Sequence, residues 1–240
     1  YTEYRPDKEI QTILSNLGAF DIFFKIFDLL DTIEDPDEMS EADDNTKDLV
    51  KKCMTLMYWF CWGNKNNQSD AFKKLDFFLE NLEEQIDTHL VIQGLFWENE
   101  ENMKLCPRAE IEKVIKQICM EGRNPHYLVL LKSITNIGEK NILENQFEIV
   151  KHLLDKSRLP KVTNFLCAPT DNAYSYKRAQ MCEFAKVDNV RIVDLPDELQ
   201  YHLELLDVLS CCTVGRANMS AIEAKVQAVF SQEDILQSIM

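Results

Sequence analysis

The sequence predicts an all-α fold, a helical-repeat solenoid of the armadillo or HEAT kind. Three observations carry this. Apolar residues recur at spacings of three and four along most of the 240-residue chain. Breakers are scarce, with 6 Gly and 7 Pro, which suits helices better than a sheet protein with many tight turns. Finally, one unit recurs: an apolar run, a short polar link closed by Asn, and a second apolar-periodic run. It reads CMTLMYWFCWGNKNNQSDAFKKLDFFLENL from Cys53 to Leu82, and related units span 90–122, 128–156 and 203–231. The link-closing residues are Asn67, Asn102, Asn141 and Asn218. Their period is roughly 38 residues with one repeat disguised, the size of a helix-pair repeat.

Residues 1–33 read as opening helices. Ile10, Ile13, Leu14 and Leu17, then Phe20, Phe23, Phe24, Phe27 and Leu30, keep a helical period on both sides of Gly18. Two helices therefore break at Gly18, the second apolar nearly all round and sandwiched between neighbours. Residues 34–46 read as an acidic loop. Seven carboxylates between Glu34 and Asp44, with no base among them, oppose compaction. An EF-hand is excluded there, because the tract has no turn glycine and no matching twelve-residue spacing; a solvated acidic loop is the reading, with a weak divalent-ion patch as its alternative.

Residues 47–156 hold three helix pairs. In the first, Leu49, Cys53, Leu56, Met57 and Phe60 form the stripe, and Tyr58, Trp59 and Trp62 widen it. A stacked repeat buries two sides of each helix, so Trp59 is expected in the core. Gly63 is placed to stop this helix. Asn67 is placed to cap the next, which buries Phe72, Leu75, Phe78, Leu79 and Leu82. The aromatic set Tyr58, Trp59, Phe60, Trp62, Phe72, Phe77 and Phe78 is read as core packing and not as a ligand box.

Asp87–Trp97 is a short helix, Asn102–Cys106 at most a turn of one, and Pro107 begins the next. That helix carries Ile111, Val114, Ile115, Ile118 and Cys119, and stops at Gly122. Pro125 opens the third pair, Leu128–Ile137 with Asn145–Leu154. Residues 157–200 form an irregular repeat. Its beta-like stretch Val187–Val193 is too short to found a sheet and reads as a connection. Residues 201–240 are a terminal pair, Tyr201–Thr213 with Met219–Phe230, plus the start of another helix from Gln232. The whole of 1–240 reads as a single solenoid fragment, excised from a longer chain.

The formal charge of −15 disfavours nucleic acid and anionic lipid surfaces as partners. No apolar run approaches the ~20 residues of a membrane span, and the first residues are no signal peptide. Cys53, Cys61, Cys119, Cys182, Cys211 and Cys212 sit in or beside apolar runs, as buried free thiols of a reducing compartment would. No CxxC, HExxH, GxSxG, phosphate-binding glycine loop or GxGxxG occurs. The vicinal pair Cys211–Cys212 makes no dyad by itself, and His152 and His202 read as structural. An anion site at Tyr174, Tyr176, Lys177 and Arg178 would rest on two charges, which fit a solvated rim or an inter-domain salt bridge better. No catalytic, cofactor-binding or metal-binding residue is assigned, and no enzyme activity is expected.

Three blocks carry a family resemblance. They are Phe60, Cys61, Gly63, Asn64, Asn67 and Gln68 in the pattern FC-x-GN-x-x-NQ, the turn Gly122-Arg123-Asn124 followed by Tyr127-Leu128, and Cys212, Thr213 and Gly215. From about Asn16 to Met240, except for a poorly matching tract from Leu159 to Leu195, the chain resembles the central helical RIH domain of inositol 1,4,5-trisphosphate receptors. Ryanodine receptors share that domain. The resemblance implies an armadillo-like solenoid on the cytosolic face of the endoplasmic or sarcoplasmic reticulum, within a large homotetrameric calcium-release channel. There it relays closure of the ligand core toward the calcium-sensing and pore regions, and its partners are other domains of that channel. The basic residues that hold the inositol phosphates belong to an earlier part of the family's chain, and none is carried onto this sequence. Direct inositol trisphosphate binding and direct membrane contact are not expected. The residues leave open the equivalent domain of a ryanodine receptor, or a free-standing adaptor holding a peptide in a solenoid groove.

Overall fold

Amphipathic stripes fold into twelve α-helices and one short hairpin among the described residues. The computed structural model describes residues 6–32, 41–82, 86–155, 157–162 and 195–213, with Tyr176, Ala179, Cys182, Glu183 and Lys186. The chain divides into two units, Tyr1–Leu105 and Cys106–Met240. The all-α class is the one the sequence predicts. The beta-like stretch at 187–193, the helix expected at 219–230 and the segment from Gln232 lie outside the described residues.

In the first unit α1 (Lys8–Asn16) is capped by Asp7, whose carboxylate accepts from the amides of Glu9 and Ile10 at 2.8 and 3.3 Å. The chain breaks at Gly18 as expected and continues as α2 (Ala19–Phe27), followed by a 3-10 turn at Asp28–Thr32. Only one side of α2 is covered. Phe23 and Phe27 are buried while Ile22 stays exposed, so the sandwiched helix is corrected to an amphipathic one.

The long helix α3 (Glu41–Cys61) organises this unit. It starts inside the acidic tract: Glu41, Asp43 and Asp44 are helical, not loop. Negative charge at a helix N-terminus is favourable, so the second half of that tract supports the helix it was expected to precede. Residues 33–40 lie outside the described residues. Val50, Met54, Met57 and Cys61 of α3 are fully buried. At about 100° per residue they share one side. Trp59 stands two residues from both Met57 and Cys61, so it points to the opposite side, and it is 38% exposed. Leu49 and Leu56 are exposed too. The core position expected for Trp59 is therefore wrong: α3 buries one broad face, and its surplus aromatic residues lie off that face. The aromatic set divides accordingly. Phe60 and Phe78 are core, whereas Tyr58, Trp62, Phe72 and Phe77 are half-buried.

Gly63, at φ 67°, is in the left-handed region that a glycine enters without strain, and it stops α3 where expected. The helix expected after it is two, α4 (Lys65–Phe72) and α5 (Leu75–Glu80). Then come α6 (Thr88–Phe96) and α7 (Glu100–Leu105). Val91, Ile92, Leu95 and Phe96 of α6 are completely buried, and α6 lies along α3, α4 and α5. Gly94 sets the closeness of α3 and α6. A Cβ there would stand 3.3 Å from the carbonyl oxygen of Tyr58 and 3.3 Å from its ring.

In the second unit Pro107 directly precedes α8 (Arg108–Glu121), and Pro125 precedes α9 (His126–Ser133). A hairpin follows that the sequence reading missed: β1 (Asn136–Ile137) pairs antiparallel with β2 (Lys140–Asn141), Asn136 opposite Asn141. The unit continues with α10 (Leu143–Leu153), α11 (Leu159–Val162) and α12 (Asp197–Thr213). Its core joins Ile111, Val114 and Ile115 of α8, Leu130 and Leu131 of α9, Ile149 and Val150 of α10, and Leu205 and Val208 of α12, all at zero exposure. Helices α9 and α10 both pack on α12, and α8 packs on α9 and α10.

The burial pattern separates two aromatic truncations. Phe78→Ala empties a fully covered site and is expected to cost about 3–5 kcal/mol. Trp59→Ala removes a side chain on the outer side of α3 and is expected to cost well under half of that. Urea denaturation of the two variants checks it, and equal losses would place Trp59 back in the core.

Candidate functional site: amide clamps between helices

The last carbonyls of a helix have no partner within it. Where a helix end is packed away from water, each needs a donor from elsewhere. In this protein, buried primary amides supply those donors in a recurring arrangement.

The first amide ties a helix to its successor. Asn67 of α4 donates from Nδ2 to the carbonyl of Phe60 at 2.8 Å. Thirty-five residues on, Asn102 of α7 donates to the carbonyl of Leu95 at 2.9 Å. In the second unit Asn145 of α10 donates to the carbonyl of Ile134 at 3.1 Å. All three are buried. The expectation that Asn67 caps its helix is corrected. The caps are Asn64 and Asn99, whose Oδ1 atoms accept from the backbone amides of Asn67 and Asn102 at 3.3 and 3.1 Å. Asn141 sits in the hairpin, and its place in the pattern is taken by Asn145. Asn218 lies outside the described residues.

The second amide reaches the end of a further helix. Gln68, next to Asn67 and fully buried, donates from Nε2 to the carbonyls of Gly94 at 2.8 Å and Trp97 at 2.9 Å. Its Oε1 accepts from Asn99 Nδ2 at 2.9 Å. Gln68 thus joins α4 to the end of α6 and the start of α7. Gln11 of α1 donates to the carbonyls of Trp59 at 2.7 Å and Trp62 at 3.0 Å, at the end of α3. Gln146 of α10 donates to the carbonyls of Thr135 at 3.2 Å and Cys211 at 2.9 Å, the latter on α12. Sequence reasoning missed this arrangement; the repeated Asn-Gln pair at 67–68 and 145–146 is the signal that could have found it. Gln11 carried none.

Primary amides do not titrate and are no nucleophiles, so the clamps fix position and do no chemistry. Of the candidate chemical groups, Cys211 meets a clamp only through its backbone carbonyl. Cys212 is buried and Cys211 half-buried, and burial pushes both thiols up, away from the thiolate a nucleophile needs. Cys119 is half-buried and Cys182 exposed, against the expectation that both are core thiols. His202 is buried in α12. Tyr176 is exposed, and Tyr174, Lys177 and Arg178 lie outside the described residues.

His152 belongs to an ionic cluster of the second unit. Arg158 donates to Glu112 at 3.0 Å and faces His152 Nδ1 at 3.1 Å, while His152 Nε2 lies 3.5 Å from Glu148. A guanidinium can only donate, so Nδ1 accepts and the ring proton sits on Nε2, toward Glu148. Hydrogen bonds from Arg158 and Lys116 hold the Glu112 carboxyl low. Burial, then the charges of Lys151 and Arg158, hold the His152 imidazolium below its ordinary range against the pull of Glu112 and Glu148.

Residues 1–163 match the RIH domain family (RYDR_ITPR). The chain belongs to that family. It is also 25% identical over 236 residues to the inositol 1,4,5-trisphosphate receptor itr-1 of Caenorhabditis elegans, covering 93% of this chain and 8% of that relative. The RIH domain here is thus homologous to a small part of a far longer receptor. The clamps of Asn67, Gln68 and Asn102 lie within the matched residues, as does the amide end of Gln146.

Two outcomes follow for this RIH domain. Gln68→Leu strands the carbonyls of Gly94 and Trp97 and the amide of Asn99. At about 1 kcal/mol per bond, with the stranded groups added, a loss of about 2–4 kcal/mol is expected in urea denaturation. Exposed Asn66→Ala is expected to change stability by less than about 0.5 kcal/mol. The second outcome concerns pH. The folded pKa of His152 is depressed, so its contribution is complete above the unfolded value of about 6.5 and is lost as pH falls below it. The melting temperature is expected to fall less between pH 7.5 and 5.5 in His152→Gln than in the parent. Equal falls would show that His152 is not the responding group.

Proposed function

We propose that this RIH domain is the cytosolic coupling element of a ligand-gated calcium-release channel of the inositol trisphosphate-receptor type, held in the endoplasmic or sarcoplasmic reticulum membrane as a homotetramer. In this reading the helices stack as an armadillo-like solenoid, and the domain relays closure of a ligand core toward the pore. Its partners are other domains of the same channel. The observation that carries the reading is the set of buried Gln side chains that fix one helix to the end of a later one. Helices joined that way cannot slide past one another without breaking hydrogen bonds, so a displacement entering one end of a unit is passed on. The match to the RIH family and the likeness to a receptor of that type support the setting. A site for the ligand is not part of the proposal, since a charge of −15 repels a polyanion.

The test is paired. Gln146→Met keeps the side-chain size and removes the donors between α10 and α12. Leu131→Trp overpacks a fully buried site of α9, at about 1–3 kcal/mol. In the intact channel each is expected to raise the ligand concentration for half-maximal calcium release. Ligand affinity of the isolated binding core should not change. Unchanged release from folded channels of both variants would refute the relay, because coupling is a measured free energy and not an inference from distance.

A further inference from the structure

All three tryptophans of the chain meet on the first unit. Trp62 and Trp97 stack with ring centroids 3.9 Å apart and planes at 22°. Trp59 lies 6.2 Å from Trp62, and Tyr58 stands edge-on to both at 4.7 and 5.0 Å. Trp59 is 38% exposed and Trp97 42%, high values for the side chains with most to gain from burial.

The electrostatics say what would cover this surface. It sits where α3 and α6 end, at the negative ends of two helix dipoles. Neither helix carries a basic residue in its last turn. Glu98 and Glu101, both exposed, follow Trp97. Lys65 is the single base in the link from Trp62 to Asn67. An anionic partner is repelled, and a purely apolar helix would desolvate the carboxylates without compensation. A guanidinium meets every feature: it stacks on an indole, it is weakly hydrated, and it donates to carboxylates.

We propose that this aromatic surface docks an arginine-bearing segment from elsewhere in the same full-length polypeptide. The source, and only the source, rests on the coupling reading. It is argued from length, since the chain matches 8% of a receptor whose remainder lies outside it.

The 240-residue chain is titrated with two capped synthetic peptides of equal charge, one of arginine and one of lysine, with tryptophan emission as the readout. The arginine peptide is expected to shift the emission and to bind several-fold tighter. Trp59→Leu with Trp97→Leu should abolish that preference and leave Trp62 as reporter. Glu98→Gln with Glu101→Gln, which leaves the ring packing untouched, should weaken the arginine peptide. Equal affinity for the two peptides would mean bulk charge attraction only and overturn the proposal, as would an arginine preference undiminished in the tryptophan variant or an arginine affinity unchanged in the glutamate variant, either of which would place binding elsewhere. Tighter binding of a neutral amphipathic peptide would overturn it too. For the source, benzoylphenylalanine at position 97 of the full-length protein is expected to cross-link to an arginine-containing stretch of the same polypeptide. A cross-link to a different protein overturns that assignment. None of these readouts depends on gating, so the relay and the docking surface fail separately.

Discussion

The structure depends on how buried helix ends are satisfied. Apolar contact holds helices together but has no direction, and a ridge shifted by one turn buries nearly the same area. A hydrogen bond at 2.8 Å has a donor, an acceptor and a line between them. The Asn-Gln pair makes two such bonds from adjacent residues. Successive residues on a helix diverge by about 100°. Asn67 can therefore turn back to the end of α3 while Gln68 turns forward to the end of α6. One dipeptide fixes two interfaces, and it recurs at Asn145 and Gln146.

The same constraint explains what is kept over the 35-residue repeat of the first unit. Asn64 and Asn99 cap, Asn67 and Asn102 clamp, and Trp62 and Trp97 follow the helix ends. One position changes. Met103 stands where Gln68 stands 35 residues earlier. A thioether donates no hydrogen bond, so Met103 cannot donate as Gln68 does. Gly94 belongs to the same set, because the carbonyl it offers to Gln68 is brought within reach by the close approach of α6 to α3.

How much of this was legible follows from which signals are local. Apolar periodicity and the breaks at Gly18, Gly63 and Gly122 are read within a few residues, and they marked most helices of both units, although α4 and α5 read as one, α7 as at most a turn and α11 fell in a tract read as irregular. Trp59 was misjudged because a wide apolar stripe measures hydrophobicity, whereas burial depends on direction relative to Met57 and Cys61. The acidic tract was misjudged because like charges were weighed against compaction and not against a helix N-terminus. The hairpin at Asn136–Asn141 has two residues per strand, too few to show a period, and it moved the clamp from Asn141 to Asn145. The Asn clamps join residues 7 or 11 apart, and the Gln bonds to a non-adjacent helix join residues 26 to 65 apart. Only the recurrence of the Asn-Gln dipeptide could have pointed to them, and nothing in the sequence names their acceptors.

A domain that passes on displacement has to keep its registers under changing conditions. Surface ion pairs serve poorly for this. Pairs such as Lys52 with Asp48 or Lys73 with Asp70 are exposed, contribute little and are screened by salt. The Arg158 cluster shifts with the protonation of His152. Amides at zero to 3% exposure carry no charge, do not titrate and are shielded from competing water. The registers of α1 on α3, α4 on α6 and α10 on α12 are thus held by bonds that neither pH nor ionic strength loosens, while the acidic exterior is left free to respond to both. That division of labour puts the position-fixing bonds inside the helix packing of each unit and leaves Trp59 and Trp97 exposed at the ends of α3 and α6.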